Sequence, residues 1–490
     1  MIPFGEWLPD QPALGNPGAT VATNVLPYAN SYGPFPTLTA YSDALAAYCR
    51  GAISVKAYDG TVYNISGDAA ELYSMADGAW SGVGDATYVC GTKDYWEFAK
   101  FDDNVIAVHW EAANATTRRP RTLALGGANF TVLVTTFHAK HVGTVGDFCV
   151  MGNTYTESGA VTNPLQLRWS ALGNSADWVA SQTTQAGAVT LQNGTQIQRI
   201  TNGMPALVIC ETTVYRMEYI GPPTIWNLQE IDPGEGTYAP GSVVQMGAAT
   251  FWLSDSGFRM SIDASPSVAI GDEKVDRTLF AELDGSNLHR VKGVADPTSG
   301  MVFWALPVTN NSDGLPNVIY VYNSRVGRWA RIEQEVEMLY ESGSSAYTLE
   351  GLDSVNASID ALTESLDSEV WRGGALSVGG FDSSHKLGYF SGAAMTGIVE
   401  TAEFAPGQHR KIMLNSLRPV IDGGVTTIEL DYRDRQQDST MRGPSRTVRS
   451  SGLIKYRKAA RYFRARATVS GNYTHAIGVT DIEAQAVGKR

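Results

Sequence analysis

His138 and His141, in TTFHAKHVG, are the one close histidine pair in the chain and so the first place to look for a metal site. The segment around them reads as a strand, and two residues three apart on a strand point to opposite faces, so the pair is not expected to share an ion. Cys49, Cys90, Cys149 and Cys210 are widely separated and include no CxxC pair. That spacing fits buried free thiols better than disulfides or zinc. There is no GxSxG elbow, no P-loop and no GxGxxG following a strand. Asp232, Asp255 and Asp284 suit the chemistry of β-turns, where a short carboxylate accepts from its own backbone. A two-carboxylate hydrolase would have to assemble its pair from distant loops. No catalytic, cofactor-binding or metal-ligating residue is therefore assigned, no cofactor is expected, and the chain reads as a non-enzyme.

The charge pattern is more informative. The formal net charge is −13, yet residues 439–480 contain Arg442, Arg446, Arg449, Lys455, Arg457, Lys458, Arg461, Arg464 and Arg466 with no Asp or Glu, which leaves −22 on the rest. An acidic body with one basic segment argues against a protein that grips DNA over a broad face and leaves open one past which DNA slides. The basic stripe has two open readings: an interface with nucleic acid or an acidic neighbouring subunit, or a solvated face.

The elements that must carry these residues are β-hairpins. Ala206 to Cys210 is an unbroken apolar run, Glu211-Thr212-Thr213 turns, and Tyr215, Met217 and Tyr219 then alternate on one face. The plan returns with Ala248 to Leu253, a turn at Ser254-Asp255-Ser256-Gly257, and Phe258, Met260 and Ile262. Earlier units open at Val62, Val105 and Phe148, 43 residues apart each time, and later ones at Met301 and in NVIYVYNSRVGRWARIE. A period of about 40–45 residues is that of a propeller blade, and the last hairpin is like those of kelch-type propellers. The expected fold is all-β: a β-propeller of six or seven blades, which leaves few strand edges exposed.

Three segments flank or interrupt it. Residues 1–40 hold seven prolines, which forbid regular helix or central strand, together with Trp7, Leu8, Val25, Leu26, Tyr28, Tyr32 and Phe35, so they read as an extended arm lying against something apolar. The propeller is expected over 41–395, with an amphipathic helix inserted near 353–370, where Val355, Ile359, Leu362 and Leu366 recur at helical spacing. Residues 396–490 read as a C-terminal β-sandwich-like domain of short strands. In it Phe463, Ala465, Ala467 and Val469 face inward, and Arg464, Arg466 and Thr468 outward. Composition agrees: 18% charged residues, below the usual quarter or so, and 50 glycines favour turns over helices. No run is long enough to span a membrane, and the Pro- and acid-broken N-terminus lacks the pattern of a signal peptide, so folding in a cytoplasm is expected.

LQLRWSALGNSADW, then LVICETTVYRMEYIG followed by GTYAPGSVVQMGAATFWLSDSGF, and the ending LIKYRKAARYFRARATVSGNYTHAIGVTDIEA resemble the tail hub, or nozzle, proteins of short-tailed bacteriophages, also called packaged-DNA stabilisation proteins. The likeness covers most of residues 160–490. It implies a structural virion protein of the viral tail, assembled in the host cytoplasm as a homohexamer beneath a head-to-tail adaptor ring. It further implies a channel passing double-stranded DNA without sequence preference, attached tail fibres or spikes, a needle or plug at the far end, and genome retention followed by DNA ejection. The alternative is a carbohydrate-binding or glycoside-cleaving propeller of the tail, motivated by 11 Trp and 22 Tyr that could stack on sugars. SDSGF also resembles part of the Asp-box of sialidases, with the residues in a different order.

Overall fold

The computed structural model describes residues 1–110, 118–158, 160–343, 376–407 and 410–487. The helix expected near 353–370 lies outside the described residues.

The chain is all-β and its centre is a propeller. Five consecutive segments, 51–82, 97–132, 137–190, 197–233 and 244–269, each fold into a self-contained four-stranded antiparallel sheet. A sixth such sheet closes the ring: Met338–Gly343, Leu376–Phe381 and Lys386–Ala394 pair in order, and Pro36–Ala44 from near the N-terminus adds the outermost strand. Residue 40, the expected seam between arm and propeller, thus falls inside a strand. Between the fifth and closing sheets, 292–332 forms a further four-stranded unit in the same ring, whose outer strand continues into a larger sheet. The hairpin at 318–332 belongs to that unit along with the strand at Met301–Leu306, and is no separate blade.

The apolar runs in the sequence mark one position of each unit. Val62–Gly67, Asn104–Val108, Phe148–Thr156, Ala206–Cys210, Ala249–Ser254 and Met301–Leu306 are all second strands, counted from the axis. A second strand has hydrogen-bonded neighbours on both sides and sheets packed on both faces, so polar residues find no solvent there. Tryptophans bolt adjacent units together. The indole N–H of Trp96 donates to the Asp68 carbonyl (2.8 Å), that of Trp304 to Ser242 (2.9 Å) and that of Trp329 to Ile270 (3.1 Å), each across to the preceding sheet. Gly67 makes room for the first: a Cβ there would sit 2.6 Å from Trp96.

The C-terminal residues build on two long strands, Ile412–Arg433 and Tyr462–Ala486, paired antiparallel along most of their length. Short strands were expected, because the glycines in this region look like ends. Instead Gly423, Gly424 and Gly471 take positive φ within the ribbon, and register shifts between 420 and 425 bend it without ending it. One flank of the ribbon is covered by Gly397–Thr401 and by arm residues Ile2, Pro3 and Tyr32. Contrary to the expectation that prolines bar the arm from a central strand, Ala19–Thr23, in the proline-free stretch between Pro17 and Pro27, sits mid-sheet and joins Gly397–Thr401 to the outer propeller strand Arg328–Ile332. Phe4, Trp7, Ala22, Val25 and Tyr32 are buried in one core with Phe251, Trp304 and Trp329 of the propeller and Leu430, Phe463 and Ala465 of the ribbon.

Candidate functional site

The innermost strands of all seven units line a central shaft, and two connected cavities of about 300 and 210 Å³ lie along it. Trp96, Arg199 and Lys292 border both. Glu97, the first residue of its strand, is wholly buried and anchors the wall. Its carboxylate lies 3.1 Å from the Arg199 guanidinium and 2.9 Å from His141 Nδ1, and accepts the Val142 N–H at 3.1 Å. Burial opposes its ionisation, but Arg199 and His141 outweigh that and hold the carboxyl below its usual range. Burial pushes the His141 imidazole down despite Glu97, so the ring is neutral and its Nδ1–H donates. Lys292 stands beside this cluster; burial, and then Arg199, bring its ammonium down to about 8. Glu341, further along the shaft, is pushed up to about 7 by burial and Asp296, against the pull of Lys292.

The two histidines of the sequence pair do part to opposite sides of their strand. His141 meets Glu97, whereas His138 lies 3.2 Å from Glu157 and packs on Tyr155, and burial takes its ring down to about 4. Among the described residues no cluster of His, Cys, Asp or Glu has the makings of a metal site. All four cysteines are buried and free. The Ser254–Gly257 turn points Ser254 and Ser256 at one oxygen of Glu235 (2.9 and 2.6 Å), which ties the turn down.

The basic stripe divides in two. The segment contains no acid, but the ribbon register brings acids opposite it: Glu429 faces Arg466, Asp431 faces Arg464, and Asp431 also faces Arg442. Arg464 and Arg466 converge on buried Glu400 at 3.0 and 3.6 Å, and Arg442 lies 3.1 Å from Asp431. Three of the nine are therefore neutralised, which corrects the expectation that nothing compensates them: antiparallel pairing supplies the acids from other strands. Lys458 sits 5.0 Å from the Tyr432 ring, and Arg446, exposed, 5.5 Å from that of Tyr456. Arg449, Lys455, Arg457 and Arg461 are exposed. These six exposed or aromatic-stacked cations follow the ribbon flank opposite to the arm, where Ile454–Ala460 pairs only with Ile412–Arg433.

The described tryptophans are spent inside or at the margins of the core. Trp7, Trp96, Trp169, Trp226, Trp252, Trp304 and Trp329 are buried, and Trp80, Trp110 and Trp178 half-buried, so the tryptophans described are blade-packing residues and not the exposed sugar platforms that their number suggested. The Glu97–Arg199–His141 cluster was missed in the sequence. Its only local signals were a Glu and an Arg inside apolar strands.

No family model matches the chain, and no curated protein does. Solved structures similar to it include the Pan2 WD40 domain of Neurospora crassa (9% identity, 64% of this chain and 90% of that one, TM-score 0.37). PorZ of the Porphyromonas gingivalis type-IX secretion system is another (10% identity, 82% and 46%, TM-score 0.35), as is a glycoside hydrolase (9% identity, 90% and 99%, TM-score 0.28). At these scores none carries an argument about function. The propeller rests on the protein's own sheets, repeated around one shaft.

Proposed function

We propose that this chain is a structural subunit of the tail hub of a short-tailed bacteriophage. In this reading it assembles into a ring, as a hexamer, below the head-to-tail adaptor, and retains and then releases the genome with no bond made or broken. The observation that carries the reading is the ribbon. It is fixed to the propeller through the arm, and its far flank holds Arg446, Arg449, Lys455, Arg457 and Arg461 exposed in a protein that is otherwise strongly acidic. Such a flank attracts a phosphate backbone or an acidic neighbour, and the acidic remainder keeps DNA from adhering elsewhere. DNA would pass between subunits, since a shaft of about 300 Å³ filled by Glu97, Arg199 and Lys292 has no room for a duplex. Tail fibres or spikes and a distal plug would attach to the outer faces of the ring.

Light scattering and negative-stain imaging of the purified protein, alone and with its neighbouring tail proteins, test the assembly. Sixfold rings are expected, and a monomer under every condition counts against the reading. Particles lacking the protein are expected to package DNA and then lose it; particles that keep their DNA overturn it.

A further inference from the structure

The shaft carries more positive charge at one mouth than its ion pairs consume. Arg50, Tyr95, Arg199, His289, Arg290 and Lys292 border the 210 Å³ cavity there. Arg199 gives one nitrogen to Glu97, and Arg290 donates to the Asp313 carbonyl at 2.9 Å. Arg50 donates to the Asp94 and Gly91 carbonyls, and its Nε is buried without a partner. The Lys292 ammonium makes no hydrogen bond or ion pair with any described residue. The Tyr95 hydroxyl is enclosed and also lacks a partner. Two acids share the mouth, and both are engaged: Glu337 with His385 (2.5 Å) and the Cys49 N–H (3.2 Å), Asp94 with the Gly91 N–H (3.0 Å). A half-buried ammonium and an enclosed hydroxyl, neither with a hydrogen-bond partner, stand beside three guanidinium groups, and the two acids of this mouth are engaged elsewhere, so its donors outnumber its acceptors.

We propose that this mouth binds a small oxyanion, phosphate or a short carboxylate, held by Lys292, Arg199 and the Tyr95 hydroxyl. The cavity has the volume for such an ion and not for a folded partner or a nucleic acid strand. Guanidinium and ammonium groups together suit an oxyanion, which offers several acceptor oxygens to donors converging from different blades. The ion would offset the charge at the axis and tie together three units, those of Tyr95, Arg199 and Lys292. This inference stands apart from the hub reading.

The full-length protein is titrated calorimetrically with sodium phosphate, and separately with sodium acetate, at constant ionic strength set with KCl. A saturable single site is expected for at least one of them, and which of them saturates tells phosphate from carboxylate chemistry. Lys292→Met is expected to weaken binding at least tenfold, and Tyr95→Phe about threefold. Tyr95→Phe removes only an oxygen that has no partner, so it folds and decides the matter even if Lys292→Met does not. No saturable heat with either ion, or Tyr95→Phe binding as tightly as the parent protein, overturns the proposal.

Discussion

Arg328, in the outer strand of the 292–332 unit, holds its guanidinium carbon 4.7 Å from the ring centroid of Tyr32 in the N-terminal arm. From there it donates to the carbonyls of Tyr28 (2.6 Å), Ala29 (2.9 Å), Phe4 (3.2 Å) and Gly5. Prolines and turns leave much of the arm unable to pair its backbone in a sheet. One planar five-donor group answers carbonyls from two arm segments and stacks on an aromatic between them. The arm is adhesive between propeller and ribbon because one side chain of the propeller reads its backbone.

Arg328→Met is therefore expected to destabilise the fold by about 3 kcal/mol, since it leaves the buried Phe4 carbonyl and three partly buried carbonyls unanswered while keeping the aliphatic stem. Limited proteolysis should then cut first within residues 1–31. Arg328→Lys should recover little, because a single ammonium cannot reproduce the fork. Denaturant unfolding with an early-cleavage map checks both, and a lysine variant as stable as the parent protein would contradict the argument.

In the shaft, Arg199→Met strands the Glu97 carboxylate beside a neutral imidazole. Breaking a buried pair on one side costs about 3–5 kcal/mol, so the single variant should unfold at markedly lower denaturant. Adding Glu97→Gln removes the stranded charge and should restore at least half of that loss. A double variant no better than the single one would show that the pair does not act as a unit.

Asp276 gives a stability that depends on pH. Its carboxyl is buried, accepts the Phe258 N–H at 3.2 Å with one oxygen and has no partner for the other, and burial, with Asp10 and Asp272 adding to it, pushes it up to about 7. The unfolded chain releases this proton near pH 4. Between about pH 4 and 7 the folded state holds a proton that the unfolded state has given up, so this group's contribution to stability falls as pH rises through that window. Asp276→Asn keeps the acceptor and abolishes the charge. At pH 8 it should raise stability by at least ~1 kcal/mol and flatten the slope between pH 4 and 7. Glu341, shifted in the same direction, retains its share. Thermal melts across pH 4–8 for both proteins measure the difference.

The two halves of the basic stripe should respond differently. Arg464→Ala leaves Glu400 buried with a weaker partner and should cost about 2 kcal/mol or more. The triple variant Arg449→Glu, Lys455→Glu, Arg461→Glu changes exposed residues and should leave unfolding within about 0.5 kcal/mol for each substitution. Under the hub reading the same triple variant fails to form rings or to retain DNA in particles. Unfolding curves combined with light scattering separate these outcomes, and rings that assemble and hold DNA as before would remove the flank from the proposal.

The sequence by itself determined the strands, their turns and the blade period. Apolar runs such as Ala206–Cys210 and the alternation over residues 463–469 are local consequences of what lies on each side of a strand, so a short window contains the signal. Proline density likewise marked residues 1–40 as extended, and the apolar residues among them as bound for a core. The tertiary structure decided which strands meet. Pro36–Ala44 completes a sheet otherwise built from residues 338–394, Glu400 and Asp431 come to face arginines beyond position 440, and Glu97, His141 and Arg199 converge from three blades. The physical reason is that closure of a propeller and register in a sheet are set by packing and hydrogen bonding between distant segments. A lone Glu or Arg in an apolar strand shows only that some partner must exist, and the closed ring supplies it.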